Sequence, residues 1–263
     1  MHQFFSRPDF YIRRAGHLDA VVTECAIQDA PPFMRGLRVL FVADVHTLRT
    51  TTQQDIDSLT ERMVAASPDL LLLGGDYSDW STEARRLFDS WKALRPPLGC
   101  YGVMGNNDAE AWESPRELRR ALAKAGCRLL VNQSERLKVR GGALYIAGVD
   151  EHRFGYPDSR GLYPANPAPD VYRVLLSHYP CAPERVPDLM LSGHTHGGQF
   201  NLLGLTPFSI GFERLSSHPV PSMAVAGLHD IGGMKLMISK GIGASRLQLR
   251  IGVRPEINLL TFG

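Results

Sequence analysis

Val39-Leu40-Phe41-Val42-Ala43 runs directly into Asp44-Val45-His46, and Leu70-Leu71-Leu72-Leu73 runs directly into Gly74-Gly75-Asp76. The figure returns downstream, where Val174-Leu175-Leu176 precedes Ser177-His178 and Leu189-Met190-Leu191 precedes Gly193-His194-Thr195-His196. A weaker run, Cys100-Tyr101-Gly102-Val103-Met104, leads to Gly105-Asn106-Asn107-Asp108. Short apolar runs closed by Gly or polar residues read as buried strands. Ligands of α/β sheets gather at the carboxyl ends of strands. Asp44, His46, Asp76, Asn106, His178, His194 and His196 therefore read as one metal-ligating set. Any single piece carries little, because short patterns recur by chance and a lone buried histidine is usually hydrogen-bonded core. The repetition carries the reading. Gly-His-Thr-His adds two imidazoles at a glycine turn, able to face a common point.

Outward from these runs the chain alternates strand and helix. Strands are predicted over 21–27, 37–43, 70–73 and 100–104, with helices over 53–66, about 83–94 and 115–125. The first helix carries Ile56, Leu59, Met63 and Val64 at helical spacing; the second stops at Pro96-Pro97. The third has Pro115 at its start and Gly126 at its end. Strands then dominate, over 128–131, 137–139, 144–149, 172–177, 189–191, 223–226, 236–239 and 257–261. Two mixed sheets packed face to face, with helices outside, accommodate this order, so an α/β fold is expected. With 263 residues and 44% hydrophobic content the chain can bury a substantial core. No Ser/Gly linker, low-complexity tract or internal repeat divides it. One domain over 1–263 is expected, with 1–35 an N-terminal strand and lead-in.

The net charge of +2 gives no electrostatic reason to expect nucleic acid as a partner. Arg116, Arg119 and Arg120 read as a solvated helix face. The four cysteines show no paired spacing; Cys100 and Cys127, beside apolar residues, read as small core hydrophobes. That usage suits a reducing compartment. No apolar run has the length to span a bilayer, and the first residues lack a signal-peptide core, so a cytoplasmic location is expected. Phe4-Phe5 and Phe10-Tyr11-Ile12-Arg13-Arg14 either pack on the domain or make peripheral contact with the inner face of the membrane.

Taken in order, Asp44-Val45-His46, Gly75-Asp76-Tyr77-Ser78-Asp79, Gly105-Asn106-Asn107-Asp108, His178 and Gly193-His194-Thr195-His196 resemble the calcineurin-like metallophosphoesterase superfamily. The resemblance extends from about Gly36 to the C-terminus. Leu191-Ser192-Gly193-His194-Thr195-His196-Gly197-Gly198-Gln199, Ser239-Lys240-Gly241-Ile242-Gly243 and Arg254-Pro255-Glu256-Ile257 are similar to one bacterial branch. That branch holds membrane-associated phosphodiesterases and UDP-diacylglucosamine pyrophosphatase-like enzymes. The resemblance implies a four-layer αββα sandwich of two mixed sheets and a centre of two divalent ions. Carried over by position, it puts Asp44, His46 and His196 on one ion and Asn106, His178 and His194 on the other, with Asp76 bridging. Carboxylate, imidazole and amide ligands together suit Mn, Fe or Zn. Asp79 would orient a ligating imidazole, or be a solvated turn residue.

Phosphoesters resist hydrolysis because the nucleophile must approach an already anionic phosphorus. Two metals about 3.5–4 Å apart neutralise those oxygens, clamp an in-line displacement and supply a bridging hydroxide near neutral pH. One position departs from the family pattern. Where it usually has a histidine, this chain has Asn107, which cannot deliver a proton near neutral pH. Losing a general acid costs about 10²–10⁴-fold, most for poor leaving groups. A phosphodiesterase or pyrophosphohydrolase is therefore expected, with a phosphomonoesterase or a non-catalytic metal-binding scaffold as alternatives. Asn107, Asp108 and His152 are the candidate catalytic residues. His152 and His229 either replace the missing acid or are surface histidines. The expected substrate is a small or lipid-linked phosphoester. Leu202, Leu203, Leu205, Phe208, Ile210 and Phe212 would form an apolar lip for the latter, or belong to the core.

Overall fold

The computed structural model describes residues 12–14, 16–166, 168–209, 224–245 and 247–263. Phe4, Phe5, Phe10, Tyr11, Ile210 and Phe212 lie outside them. The strands are β1 (Ile12–Arg14), β2 (Val21–Ile27), β3 (Arg38–Val42), β4 (Leu70–Leu73), β5 (Cys100–Gly102), β6 (Cys127–Leu129) and β7 (Gln133–Val139). They continue as β8 (Gly142–Gly148), β9 (Val171–Leu176), β10 (Leu189–Ser192), β11 (Gly227–Ile231), β12 (Met234–Ile238), β13 (Leu249–Ile251) and β14 (Glu256–Phe262). The helices are α1 (Gln53–Ala65), α2 (Ser81–Trp91), α3 (Asn106–Ala111) and α4 (Pro115–Lys124).

Two six-stranded mixed sheets result, in the orders β2-β14-β3-β4-β5-β6 and β11-β12-β10-β9-β8-β7. In the first, β3 to β6 are parallel, and β14 inserts beside β3 antiparallel to it. In the second, β8, β9, β10 and β12 are parallel. The unbroken leucines of β4 follow from burial on both faces, as parallel central strands require. Leu71 and Leu73 pack with Leu40 and Val42 against Ile56, Leu59, Leu87, Phe88, Leu118 and Leu122 of the helices. Leu70 and Leu72 face the other way, with Val39 and Phe41, onto Leu144, Ile146, Val174, Leu176 and Leu191 of the second sheet. The expected sandwich of two mixed sheets flanked by helices therefore stands, with the described helices on the outer face of the first sheet. The outer face of the second sheet, through Leu175, Met190 and Leu236, is covered by Tyr163, Cys181 and Ala224 from irregular segments.

Helix ends follow local chemistry. Thr52 caps α1, its hydroxyl accepting from Asp55 N (3.1 Å) while Asp55 returns a bond to Thr52 N (3.1 Å). Two expectations need correction. The strand expected over 223–226 is instead β11; Met223 is outside the described residues, and Ala224 is buried in the core. β11 is an edge strand set by hairpin pairing with β12 through Gly232-Gly233, a signal its own weakly apolar residues do not carry. Cys100 and Cys127 are register partners on β5 and β6 and form a disulfide. Spacing along the chain gives no hint of a pairing made across a sheet. Cysteine usage accordingly no longer argues for a reducing compartment. Among the described residues no helix is long and apolar enough to cross a membrane.

Candidate metal centre and active site

The carboxyl ends of β3, β4, β5, β9 and β10 converge on one cleft between the sheets. Asp44, His46, Asp76, His194 and His196 all have left-handed backbones there, with φ of 51°, 43°, 55°, 68° and 52°. Each such residue costs about 1–3 kcal/mol, so the surroundings must hold it in place. Asp44 N donates to Gly75 O (3.0 Å), His46 N to Asp76 O (3.1 Å) and Gly193 N to His178 O (3.1 Å). The Ser239–Gly243 motif enters here: Ile242 N and Gly243 N donate to the Asp44 carbonyl at 3.0 and 2.7 Å. Glycine is needed where loops cross these carboxylates. A Cβ on Gly105 would lie 2.0 Å from Asp76 Oδ1, and one on Gly193 would lie 2.4 Å from Asp44 Oδ2.

His46 and His178 flank Asp76. His178 Nδ1 is 2.8 Å from the Gly74 carbonyl and His46 Nδ1 is 3.0 Å from Asp79 Oδ1, each an acceptor for the ring N–H. Both Nε2 atoms are buried, make no hydrogen bond among the described residues and lie 3.4 Å from the same oxygen, Asp76 Oδ2. Fixing Nδ1–H leaves the Nε2 lone pair of the neutral ring bare, the tautomer a metal ligand needs. Of its two expected places, Asp79 thus takes the one beside an imidazole, with its carboxylate partly exposed.

Ligand atoms of Asp44, His46 and His196 lie within 4.8 Å of one another, as do those of Asp44, Asp76 and His178. The first group matches the expected ligand set of one ion. The second brings Asp44 beside Asp76 and His178, a closeness the positional assignment lacked. His194 Nδ1 and Asn106 Oδ1 are 3.1 Å apart, and His194 N donates to both Asp44 oxygens at 3.0 Å.

The electrostatics divide the imidazoles. Burial works to depress His46 and His178, but Asp76, aided at His46 by Asp79, overcomes it and raises them to about 10 and about 9. Burial opposes ionisation of Asp76 as well, yet His178 and His46 hold it well below the usual carboxylate range. Burial, joined by the charge of His178, lowers His194 to about 3; burial with His46 and Arg250 depresses His196. The Asp76 pocket therefore favours positive charge.

Asn107 lies beside Asp76, its backbone N donating to Oδ1 (2.9 Å) and its Nδ2 to Oδ2 (2.8 Å). Asp108 is fully buried and accepts from Asp76 N (2.7 Å), Tyr77 N (3.0 Å) and Gly105 N (2.9 Å). That geometry makes it a positioning residue, out of a substrate's reach. His152 stands behind Tyr179, ring centroids 5.4 Å apart, and faces a separate small cavity with Cys181 and Glu184. His229 sits on β11 with Nε2 2.9 Å from Ala226 O.

Two residues escaped the sequence reading. Tyr179 packs its ring on His194 (centroids 3.7 Å) and directs its hydroxyl to Asn106 Oδ1 at 3.4 Å. Burial raises its phenol above the ordinary range, so it stays protonated. Arg250 is buried with Nη2 3.2 Å from His196 Nδ1 and donating to Lys240 O (2.7 Å). The adjacency of Tyr179 to His178 was the only signal in the sequence for either.

A cavity of about 890 Å³ opens over the set. Asn106, Asn107, His194, His196, Tyr179 and Arg153 line one wall, and Phe200, Pro207, Phe208 and Leu247 line another. Of the expected lip, Phe208 is buried, whereas Leu202, Leu203 and Leu205 are 55%, 89% and 62% exposed.

Comparison with known proteins bears on this geometry. The chain is 27% identical to the metallophosphoesterase YkoQ of Bacillus subtilis, over 88% of this chain and 85% of that one. It is 31% identical to the phosphodiesterase YaeI of Escherichia coli, over 88% of this chain and 83% of that one. A bovine transmembrane protein with a metallophosphoesterase domain is 27% identical over 92% of this chain and 56% of its own length. Residues 37–198, which span every strand-end turn of the set, match the model of calcineurin-like phosphoesterases, and the chain belongs to that family.

Proposed function

We propose that this metal-dependent phosphoester hydrolase is a phosphodiesterase or pyrophosphohydrolase working with two divalent ions, Mn, Fe or Zn, within one domain over 1–263. One observation carries the reading: two buried imidazole Nε2 atoms, both without a hydrogen bond, flank a single Asp76 oxygen at 3.4 Å. Leaving such groups unsatisfied costs about 1–3 kcal/mol each, whereas a cation on each side of Asp76 would satisfy both. Asp44, His46 and His196 would hold one ion, His178, His194 and Asn106 the other, with Asp76 between them. Bound there, the ions would neutralise phosphate charge and make bound water acidic enough to ionise near neutral pH. The protein's own part is orientation. Asp79 and the Gly74 carbonyl fix the two tautomers, Asp108 clamps the turn that bears Asp76, and Arg250 braces His196.

Substrate preference follows from the walls of the cavity. No imidazole stands at position 107, which favours esters whose leaving group departs without full protonation, such as nucleoside pyrophosphates and aryl diesters. The likeness to a relative named a phosphodiesterase supports the same choice. The apolar lining of Phe200, Phe208 and Leu247, with Leu202, Leu203 and Leu205 exposed in the segment between Phe200 and Phe208, supports an apolar group on the substrate, as in a lipid-linked phosphoester. The test is elemental analysis of the purified protein with hydrolysis of bis(4-nitrophenyl) phosphate and 4-nitrophenyl phosphate at saturating Mn. Two ions per chain and preference for the diester are expected. One ion, or preference for the monoester, would overturn the reading.

A further inference from the structure

Charge develops on the leaving oxygen of a phosphoester departing from this site, and the residue at the position where the family pattern has histidine cannot give it a proton. Asn107 donates its backbone N–H and one of its two Nδ2 hydrogens to Asp76, at 2.9 and 2.8 Å, which holds the side chain against that carboxylate. Asp108 is enclosed by three backbone amides, and His152 faces another cavity. The Thr195 hydroxyl, also on the cavity wall, is taken up by Val225 O at 2.6 Å. Tyr179 differs from all of these. It lines the cavity, its ring rests on His194, and among the described residues its hydroxyl meets only a long 3.4 Å contact with Asn106 Oδ1. A hydrogen bond of that length is weak, so the O–H can turn to a better acceptor. An anionic phosphoester oxygen is such an acceptor, forming shorter bonds about twice as strong as neutral ones. Asn106 and His194 belong to the candidate ligand set, so the hydroxyl stands at the edge of the reaction site.

We propose that the Tyr179 hydroxyl donates a hydrogen bond to the reacting phosphoester and shares the charge that builds on its leaving oxygen, in place of the missing histidine. The proton stays on the phenol, so no further acid is needed to restore it. The inference rests on the hydrolase reading above and adds a residue to it. It also gives the contact with His194 a second purpose, because the ring that carries the hydroxyl is fixed by that packing.

Tyr179→Phe removes the hydroxyl and keeps the ring. With Mn-loaded protein, wild type and variant are compared on bis(4-nitrophenyl) phosphate and on diphenyl phosphate, whose leaving group is poorer. Metal content and affinity for inorganic phosphate are measured on both by elemental analysis and calorimetry. The variant is expected to keep its metal, lose about 10-fold on the nitrophenyl ester and about 10²-fold or more on the phenyl ester, and bind phosphate several-fold more weakly. Equal loss on both esters, or no loss, would overturn the proposal, as would a fall in metal content that accounts for the loss. Should Mn-loaded wild type hydrolyse neither ester, the hydrolase reading fails by itself. Phosphate affinity then decides for Tyr179: weaker binding by the phenylalanine variant supports the contact, and equal binding overturns it.

Discussion

The two sheets bring different chemistry to the cleft they share. The first, through the turns after β3, β4 and β5, supplies every oxygen donor of the candidate set, Asp44, Asp76 and Asn106, together with His46. The second, through the turns after β9 and β10, supplies imidazoles alone, His178, His194 and His196. Neither sheet carries a complete site. The behaviour of the imidazoles nonetheless does not follow the sheet they come from. His46 and His178, from opposite sheets, both face Asp76 and are raised to about 10 and about 9. His194 and His196, buried and near other positive groups, are lowered. Burial lowers all four rings, and Asp76 outweighs it at His46 and His178 but not at His194 and His196.

The sharpest way to break the comparison is Asp76→Asn. Removing the charge that both sheets share should abolish binding of both ions and cut hydrolysis by at least about 10³-fold. Wild-type metal content in that variant would show that the halves bind independently. Asp79→Ala acts on the first sheet only, releasing His46 Nδ1 while the Gly74 carbonyl still holds His178. A loss of about 10–100-fold in affinity for one ion is expected, with the other unaffected, as titration calorimetry would reveal. Equal weakening of both ions would mean that Asp79 supports the whole cleft.

A third test addresses the tie between the sheets. Lys240, just beyond β12, donates through Nζ to Glu256 Oε2 (2.8 Å) at the start of β14, and Glu256 N donates to Gly241 O (3.0 Å). Burial works against ionisation of Glu256, but Lys240, with Asn258, holds its pKa below the usual value. A depressed folded pKa stabilises above the unfolded value, near 4.3, and that contribution fades as pH falls through the folded one. Glu256→Gln should therefore destabilise by about 1–2 kcal/mol at pH 7, after allowance for the half-exposed Lys240. Denaturant titrations should find the gap closing below about pH 4. A gap that stays constant into acid would exclude the charge as its cause. The smallest effect is expected at the rim. Leu203→Ser should leave stability within about 0.5 kcal/mol and nitrophenyl diester hydrolysis unchanged. Hydrolysis of a long-chain lipid phosphodiester should fall several-fold; an equal rate would remove the lip from the substrate reading.

The strand cores and the order of the ligand-bearing turns were legible in the sequence, because both are local statements. Leu70-Leu71-Leu72-Leu73 announces burial on two faces by composition alone, and Gly-Gly-Asp after it announces where the strand stops. Asp79 could be paired with an imidazole in advance because ligand histidines commonly donate to a nearby carboxylate. β11 was misplaced, since its pairing comes from the hairpin and not from its own residues. The surroundings of Asp108 were not legible for a related reason: a carboxylate at the end of that motif looks the same whether it faces a cavity or three backbone amides.

By itself the sequence determined which residues end the buried strands and which of them have side chains able to ligate a metal, since periodicity and side-chain type are written along the chain. Only the tertiary structure decided which atoms meet. His178 comes within 3.4 Å of Asp76, Arg250 reaches His196, Tyr179 settles on His194, and Cys100 bonds Cys127. These contacts join residues on different strands and turns, and their geometry depends on how the sheets stack and how each strand end turns. No local pattern encodes that, because packing fixes it only when the two sheets close on a common core.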